Sequence, residues 1–187
     1  MELSTNITIP VAPADYKSGF VGIIGRPNVG KSTLMNQLVG QRIAITSPVA
    51  QTTRNRLCGI LSTEVAQIIF VDTPGIHKPH HQLGKVLVQN AKIAIQSVDL
   101  VLLVVDGSMI AGGGDRYIID LLHKIQTPVI LGMNKLDLQP QDAWEIEASY
   151  YQLINPHPWQ IIKFSALTGV GVETLQNWLI EHLETGP

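Results

Sequence analysis

The sequence predicts an α/β fold: a mostly parallel six-stranded sheet with one antiparallel edge strand and helices on both faces. Short runs rich in Val, Ile and Leu recur at Phe20–Ile24, Ala66–Val71, Leu100–Val105, Pro128–Met133 and Gln160–Phe164. Each is near-continuously apolar rather than alternating, as expected of strands covered on both faces. Helical patterns lie between them, at Lys31–Val39, Leu83–Gln96, Asp115–Lys124, Gln141–Tyr151 and Val172–Leu183, which gives the alternation of a doubly covered sheet. A further strand, Leu57–Ser62, is joined to Ala66–Val71 by only Thr63–Val65. That link is too short for a parallel crossover and suits an antiparallel hairpin.

Composition narrows the function classes. The 187 residues suffice for one domain with a real core, and 45% are hydrophobic against 15% charged. With 13 Lys+Arg against 15 Asp+Glu and a formal net charge of −2, the chain is not built to grip nucleic acid by bulk charge. The longest clean apolar run, Leu100–Val105, falls far short of the ~20 residues of a spanning helix. No transmembrane segment is expected. The single cysteine, Cys58, excludes an internal disulfide framework or a Cys-rich zinc site and fits a reducing cytoplasm. Met1–Ser18 lacks the basic and apolar regions of a targeting segment. It reads as a flexible arm, leaving residues 19–184 as the domain and 185–187 as the start of a linker. Trp144, Trp159 and Trp178 are expected as core or hydrophobic anchor residues.

Ligands of such sheets bind at the carboxyl ends of the strands, and four motifs fall there. The first is Gly25-Arg26-Pro27-Asn28-Val29-Gly30-Lys31-Ser32, followed by Thr33. It matches G-x-x-x-x-G-K-[ST] between a strand and a helix. Its glycines permit a loop whose N–H groups turn inward around phosphate oxygens. Lys31 reaches the β- and γ-phosphates, Ser32 is placed for Mg²⁺, and the helix adds its positive N-terminal dipole. The second motif, Asp72-Thr73-Pro74-Gly75, offers a carboxylate for Mg²⁺ and a Gly75 N–H for the γ-phosphate.

The third, Asn134-Lys135-Leu136-Asp137, selects the base. Asp137 accepts from guanine N1–H and its exocyclic amine, whereas adenine offers neither donor and would leave the carboxylate unpaired. Asn134 bonds the base and braces the phosphate loop, and the Lys135 stem covers one face of the purine. The fourth, Ser165-Ala166-Leu167, supplies backbone N–H groups toward guanine O6.

In this order the motifs resemble the G domain of translation-factor-type GTPases, a P-loop NTPase fold. Gly25–Asn36, Gly40–Arg54 and Asp72–Lys78 resemble the Era family within the TrmE-Era-EngA class. The runs Gly40-Gln41-Arg42-Ile43-Ala44-Ile45-Thr46-Ser47 and Gln51-Thr52-Thr53-Arg54 are the most similar, and G domains of Der or MnmE type are the alternative. The likeness spans Phe20 to Gly186. It implies binding of GTP and GDP with Mg²⁺, and slow GTP hydrolysis serving as a switch in small-subunit (16S rRNA) assembly. The implied partner is the pre-30S particle, in a cytoplasmic protein with peripheral membrane association in its full-length form. A KH domain carrying the RNA site would follow Pro187, so this chain reads as a truncated form or a single-domain variant that binds RNA weakly.

The resemblance also assigns residues. Gln41–Asn55 would be the first switch, with Thr53, or else Thr52, closing over Mg²⁺. Gly75–Gln82 would be the second, and its His77, His80 and His81 read as a solvated loop rather than a metal site. Ile76 stands where many small GTPases carry a water-orienting Gln. Positioning of water would then fall to the Thr53 backbone, a water network or a partner. This leaves open a binding module with negligible hydrolysis of its own. Asn28 would bind K⁺ beside the phosphates, or simply tolerate a strained loop conformation.

Overall fold

The computed structural model describes residues 13–39, 56–73, 89 and 92–186. Along them run β1 (Lys17–Ile24), α1 (Lys31–Val39), β2 (Arg56–Ser62), β3 (Ala66–Asp72) and α2, of which 92–96 is described. Then come β4 (Leu100–Asp106), α3 (Gly113–Leu122), β5 (Val129–Asn134), α4 (Trp144–Ile154), β6 (Ile161–Lys163) and α5 (Val172–Glu181). A single 3₁₀ turn, Leu136–Leu138, follows β5. The strands form one sheet in the order β2-β3-β1-β4-β5-β6. Every neighbouring pair is parallel except β2 with β3, as the short link between them requires.

The unbroken apolarity of β4 explains its central place. Leu100 to Val105 are all buried, and the two-residue side-chain period divides them between two cores. Leu102 and Val104 pack with Leu34 and Leu38 of α1 and Leu175 and Leu179 of α5. Val101, Leu103 and Val105 pack with Ile95 of α2, Ile118 and Ile119 of α3, and Ile146 and Tyr150 of α4. At roughly 1.5–3 kcal/mol for each large side chain taken out of water, these two layers hold the strand ends, and hence the loops beyond them, in register.

Several boundaries differ from the sequence expectation. β1 begins at Lys17, so Lys17 and Ser18 belong to the sheet rather than to the arm. Backbone pairing with Ala66 and Gln67 carries the strand past its apolar run. The far end of the chain is tied to the same strand: Ser18 Oγ donates to the Gly186 carbonyl at 2.6 Å, and Lys17 bridges to Thr185. Helix α3 starts at Gly113, earlier than expected, because the Asp115 carboxylate caps it by accepting from the Gly112 N–H at 2.9 Å. Helix α4 starts at Trp144 rather than Gln141, with Glu145 and Glu147 in its dipole-favoured first turn. Trp144, expected as a core or anchor residue, is 63% exposed, while Trp159 and Trp178 are half-buried. Among the described residues no helix is long and apolar enough to cross a membrane. Residues 1–12, and all of the Leu83–Gln96 expectation except 89 and 92–96, lie outside the described residues.

Candidate functional site

The phosphate loop leaves the buried end of β1 and turns directly into α1. It needs left-handed backbone at Asn28 (φ 67°) and Gly30 (φ 99°). Glycine is required at both ends of it. A Cβ on Gly25 would lie 2.5 Å from the Val104 carbonyl oxygen, and one on Gly30 would lie 2.2 Å from Asn134 Nδ2. Val29 is buried beneath the loop, while Pro27, Asn28, Ser32 and Thr33 face outward. Arg26 reaches sideways to the buried Asp115 of α3, 3.2 Å away.

Lys31 folds back across the loop. Its Nζ donates to the Gly25 carbonyl at 2.6 Å and to Arg26's at 3.4 Å. Burial pushes its pKa below the ordinary lysine value, and attraction to Asp72 and Cys58 offsets that only in part. A desolvated ammonium of this kind favours an anionic ligand. Asp72 ends β3 in register with Ile23 of β1, beside the loop. Thr73 is fixed there by its N–H and Oγ1, both donating to the Ile23 carbonyl at 3.3 and 2.9 Å.

The base-selecting motif sits one strand beyond β4. Asn134, 2% exposed, bridges two loops. Its Nδ2 donates to the Val29 carbonyl and its Oδ1 accepts from the Ala166 N–H, both at 2.8 Å. This is the brace expected from the sequence. Lys135 takes left-handed φ 66°, after which the 3₁₀ turn presents Asp137 at the surface. Ser165 Oγ donates to Asp137 Oδ1 at 2.8 Å and accepts from the Thr168 N–H at 3.1 Å, which fixes one carboxylate oxygen and leaves the other outward.

The expectation for Ser165-Ala166-Leu167 needs a correction. The Ser165 N–H donates to Val170 and the Ala166 N–H to Asn134, so both are used in holding this loop. Of these three N–H groups, Leu167's alone has no partner among the described residues, and that residue is 73% exposed. The expectations for Gln41–Asn55 with Thr52 and Thr53, for Pro74, Gly75 and Ile76, and for His77, His80 and His81 fall outside the described residues. Among the described residues no group of His, Cys, Asp and Glu forms a metal cluster.

Two contributors went unread in the sequence: Asp106, which ends β4 and pairs with Lys135 at 3.0 Å, and Asp115 with its Arg26 partner. A polar residue at the carboxyl end of a central strand was the available signal for Asp106.

The chain resembles proteins of known kind along its whole length. The family model described as "50S ribosome-binding GTPase" matches residues 20–135. GTPase Era of Crocosphaera subtropica is 71% identical over 187 residues, covering all of this chain and 60% of the relative. GTPase Era of Synechocystis is 62% identical over 185 residues, covering 98% of this chain and 59% of the relative. The chain thus spans about 60% of the length of these curated relatives. Among solved structures, Era in complex with MgGDPNP and nucleotides 1506–1542 of 16S ribosomal RNA superposes with a TM-score of 0.74 at 35% identity, covering 92% of this chain and 59% of that one. Aquifex aeolicus Era bound to GDP·AlF4⁻ superposes with a TM-score of 0.73, also at 35% identity, covering 91% and 58%. With its phosphate loop, its base-selecting motif and a family model matched over more than half its length, the chain belongs to the 50S ribosome-binding GTPase family.

Proposed function

We propose that this chain binds GTP and GDP with Mg²⁺ at the carboxyl edge of the sheet, hydrolyses GTP to GDP and phosphate, and serves as a switch in small-ribosomal-subunit assembly. The observation that carries this reading is the pair of hydrogen bonds of Asn134, one donated to the Val29 carbonyl and one accepted from the Ala166 N–H, which locks the phosphate loop and the base-selecting loops into one surface. The Ser32 hydroxyl and Asp72 carboxylate are hard oxygen donors suited to Mg²⁺, with Thr53 (or Thr52) completing the oxygen set, while the Gly75 N–H would donate to the γ-phosphate. When bound, Mg²⁺ neutralises charge on the phosphates. Lys31 and the loop N–H groups from Arg26 to Thr33, Pro27 excepted, stabilise the charge that develops as water attacks in line. Asp137 excludes adenine. Loss of the γ-phosphate would release Thr53 and Gly75 and relax both switches.

Ile76 supports a second reading, a nucleotide-dependent binding module whose hydrolysis awaits a partner. Single-turnover measurement on purified protein separates the two: GDP forms from GTP in the first, and none appears over hours in the second. We also propose that Asn28, exposed and left-handed in the loop, holds K⁺ beside the phosphates. Turnover should then rise when K⁺ replaces Na⁺ at equal ionic strength, and equal rates would remove the ion from the scheme. The high identity to Era relatives supports the assembly role over a Der or MnmE type. Cytoplasmic residence and the pre-30S partner belong to the same proposal. So does an RNA contact made by KH-type sequence outside this chain, which a net charge of −2 within these residues supports.

A further inference from the structure

Lys135 does not project freely. Its Nζ donates to Asp106 Oδ2 at 3.0 Å, and both side chains are more than two-thirds buried. Asp106 is itself held from several sides. Its Oδ1 accepts from the Ser108 N–H at 2.9 Å and from Ser108 Oγ at 2.5 Å. Its main-chain carbonyl accepts from the hydroxyl of buried Tyr150 at 3.2 Å. It stands in register with Asn134 across the β4–β5 pair, and the next N–H, from Gly107, donates to the Asn134 carbonyl at 2.8 Å. The carboxylate is therefore a fixed acceptor one strand away from the base-selecting loop, aimed at a lysine whose backbone is also fixed, in the left-handed region.

We propose that Asp106 is a positioning residue for base recognition, acting through Lys135. It holds the ammonium so that the lysine stem is already ordered for the face of the purine. A free lysine gives up much rotamer freedom on being ordered. A lysine ordered in advance gives up less when the nucleotide arrives, which raises affinity without a new contact. Burial alone would push the Asp106 carboxyl pKa up. The two Ser108 donors and Lys135 outweigh that and hold it below the ordinary value, so the carboxylate stays charged at neutral pH. This inference rests on the guanine-nucleotide reading of the site.

A double-mutant cycle tests it by titrating fluorescent mant-GDP into this chain. Asp106→Asn keeps the Ser108 turn but removes the charge, and Lys135→Met keeps the apolar stem but removes the ammonium. Each alone should weaken binding by about tenfold, and the double variant should bind no more weakly than Lys135→Met by itself. Losses that multiply in the double variant, or wild-type affinity in Asp106→Asn, would overturn the proposal. Should Asp106→Asn fold poorly, Ser108→Ala replaces it. A two- to threefold loss that vanishes in the Lys135→Met background supports the proposal, and unchanged affinity overturns it. If the unaltered chain failed to bind mant-GDP, the reading of the site would fall instead, and this inference with it.

Discussion

Gly30 lies so close beneath Asn134 that a Cβ would stand 2.2 Å from the Asn134 amide nitrogen. The contact ties the last turn of the phosphate loop to the carboxyl end of β5, and the φ of 99° at Gly30 adds a second demand for glycine. Gly30→Ala should therefore lose about 2 kcal/mol or more of stability, from left-handed strain and displacement of Asn134 together. It should also lose most of its affinity for mant-GDP. Thermal melting and titration of the same preparation check both; a variant that melts and binds like wild type would show that the loop is not held by this contact.

Asn134 carries the same link from the other side. Replacing it with Ala leaves the Val29 carbonyl and Ala166 N–H without their partner in a region where Asn134 itself is 2% exposed. Each orphaned buried group costs about 1–3 kcal/mol. At roughly 2–4 °C per kcal/mol for a domain of this size, the melting temperature should drop by about 5–15 °C, whether or not nucleotide is present. A drop seen only with nucleotide bound would mean that the bridge forms on binding rather than before it.

Asp137 has a different duty, because its carboxylate is exposed and one oxygen is already taken by Ser165. Asp137→Asn can keep that bond through its own side-chain oxygen, so the fold should be undisturbed. The amide offers a donor where guanine also offers donors, and xanthine presents an acceptor instead. Preference should shift from guanine toward xanthine nucleotides by at least about a hundredfold. Competition between GDP and XDP against a fluorescent nucleotide measures this directly, and unaltered GDP affinity would count against base recognition by Asp137.

Legibility followed the range of the interactions. The bounds of α1 and the place of each motif at a strand's carboxyl end could be read because apolar period and glycine spacing are local signals. The Asn134 brace is legible from its position after β5. What escaped was set by partners distant in sequence. Besides capping its own helix, buried Asp115 is paired with Arg26, 89 residues away, and Asp106 gains its meaning from Lys135, 29 residues on. The backbone donors of Ser165 and Ala166 read as outward from sequence, which cannot show that Val170 and Asn134 use them first. The start of β1 is illegible for a similar reason, since ladder pairing and not side-chain character extends it to Lys17.

Lys31 should prove costly to the fold and necessary to the site. Burial holds its pKa below 10.5 in the folded state, with Asp72 and Cys58 opposing. Below that lowered value the ammonium is charged in both folded and unfolded chains, and its desolvation is a constant penalty. Between the lowered value and 10.5 the folded state gives up its proton first, so the unfolded chain binds more protons and stability rises with pH. Above 10.5 the penalty is gone. Buried Tyr150, whose pKa is raised mainly by burial, acts in the opposite sense at alkaline pH, because the unfolded chain ionises first. The comparison must therefore be made between wild type and Lys31→Met, in which the Tyr150 contribution is common. Nucleotide-free Lys31→Met should be as stable as wild type or more so, by up to about 1 kcal/mol near neutral pH. The advantage should shrink as pH climbs toward 10.5. The same variant should bind mant-GDP at least about a hundredfold more weakly. Denaturant melts of both proteins across this pH range, without nucleotide, decide the matter: a Lys31→Met domain that is less stable at neutral pH would mean that the Gly25 and Arg26 hydrogen bonds outweigh the buried charge.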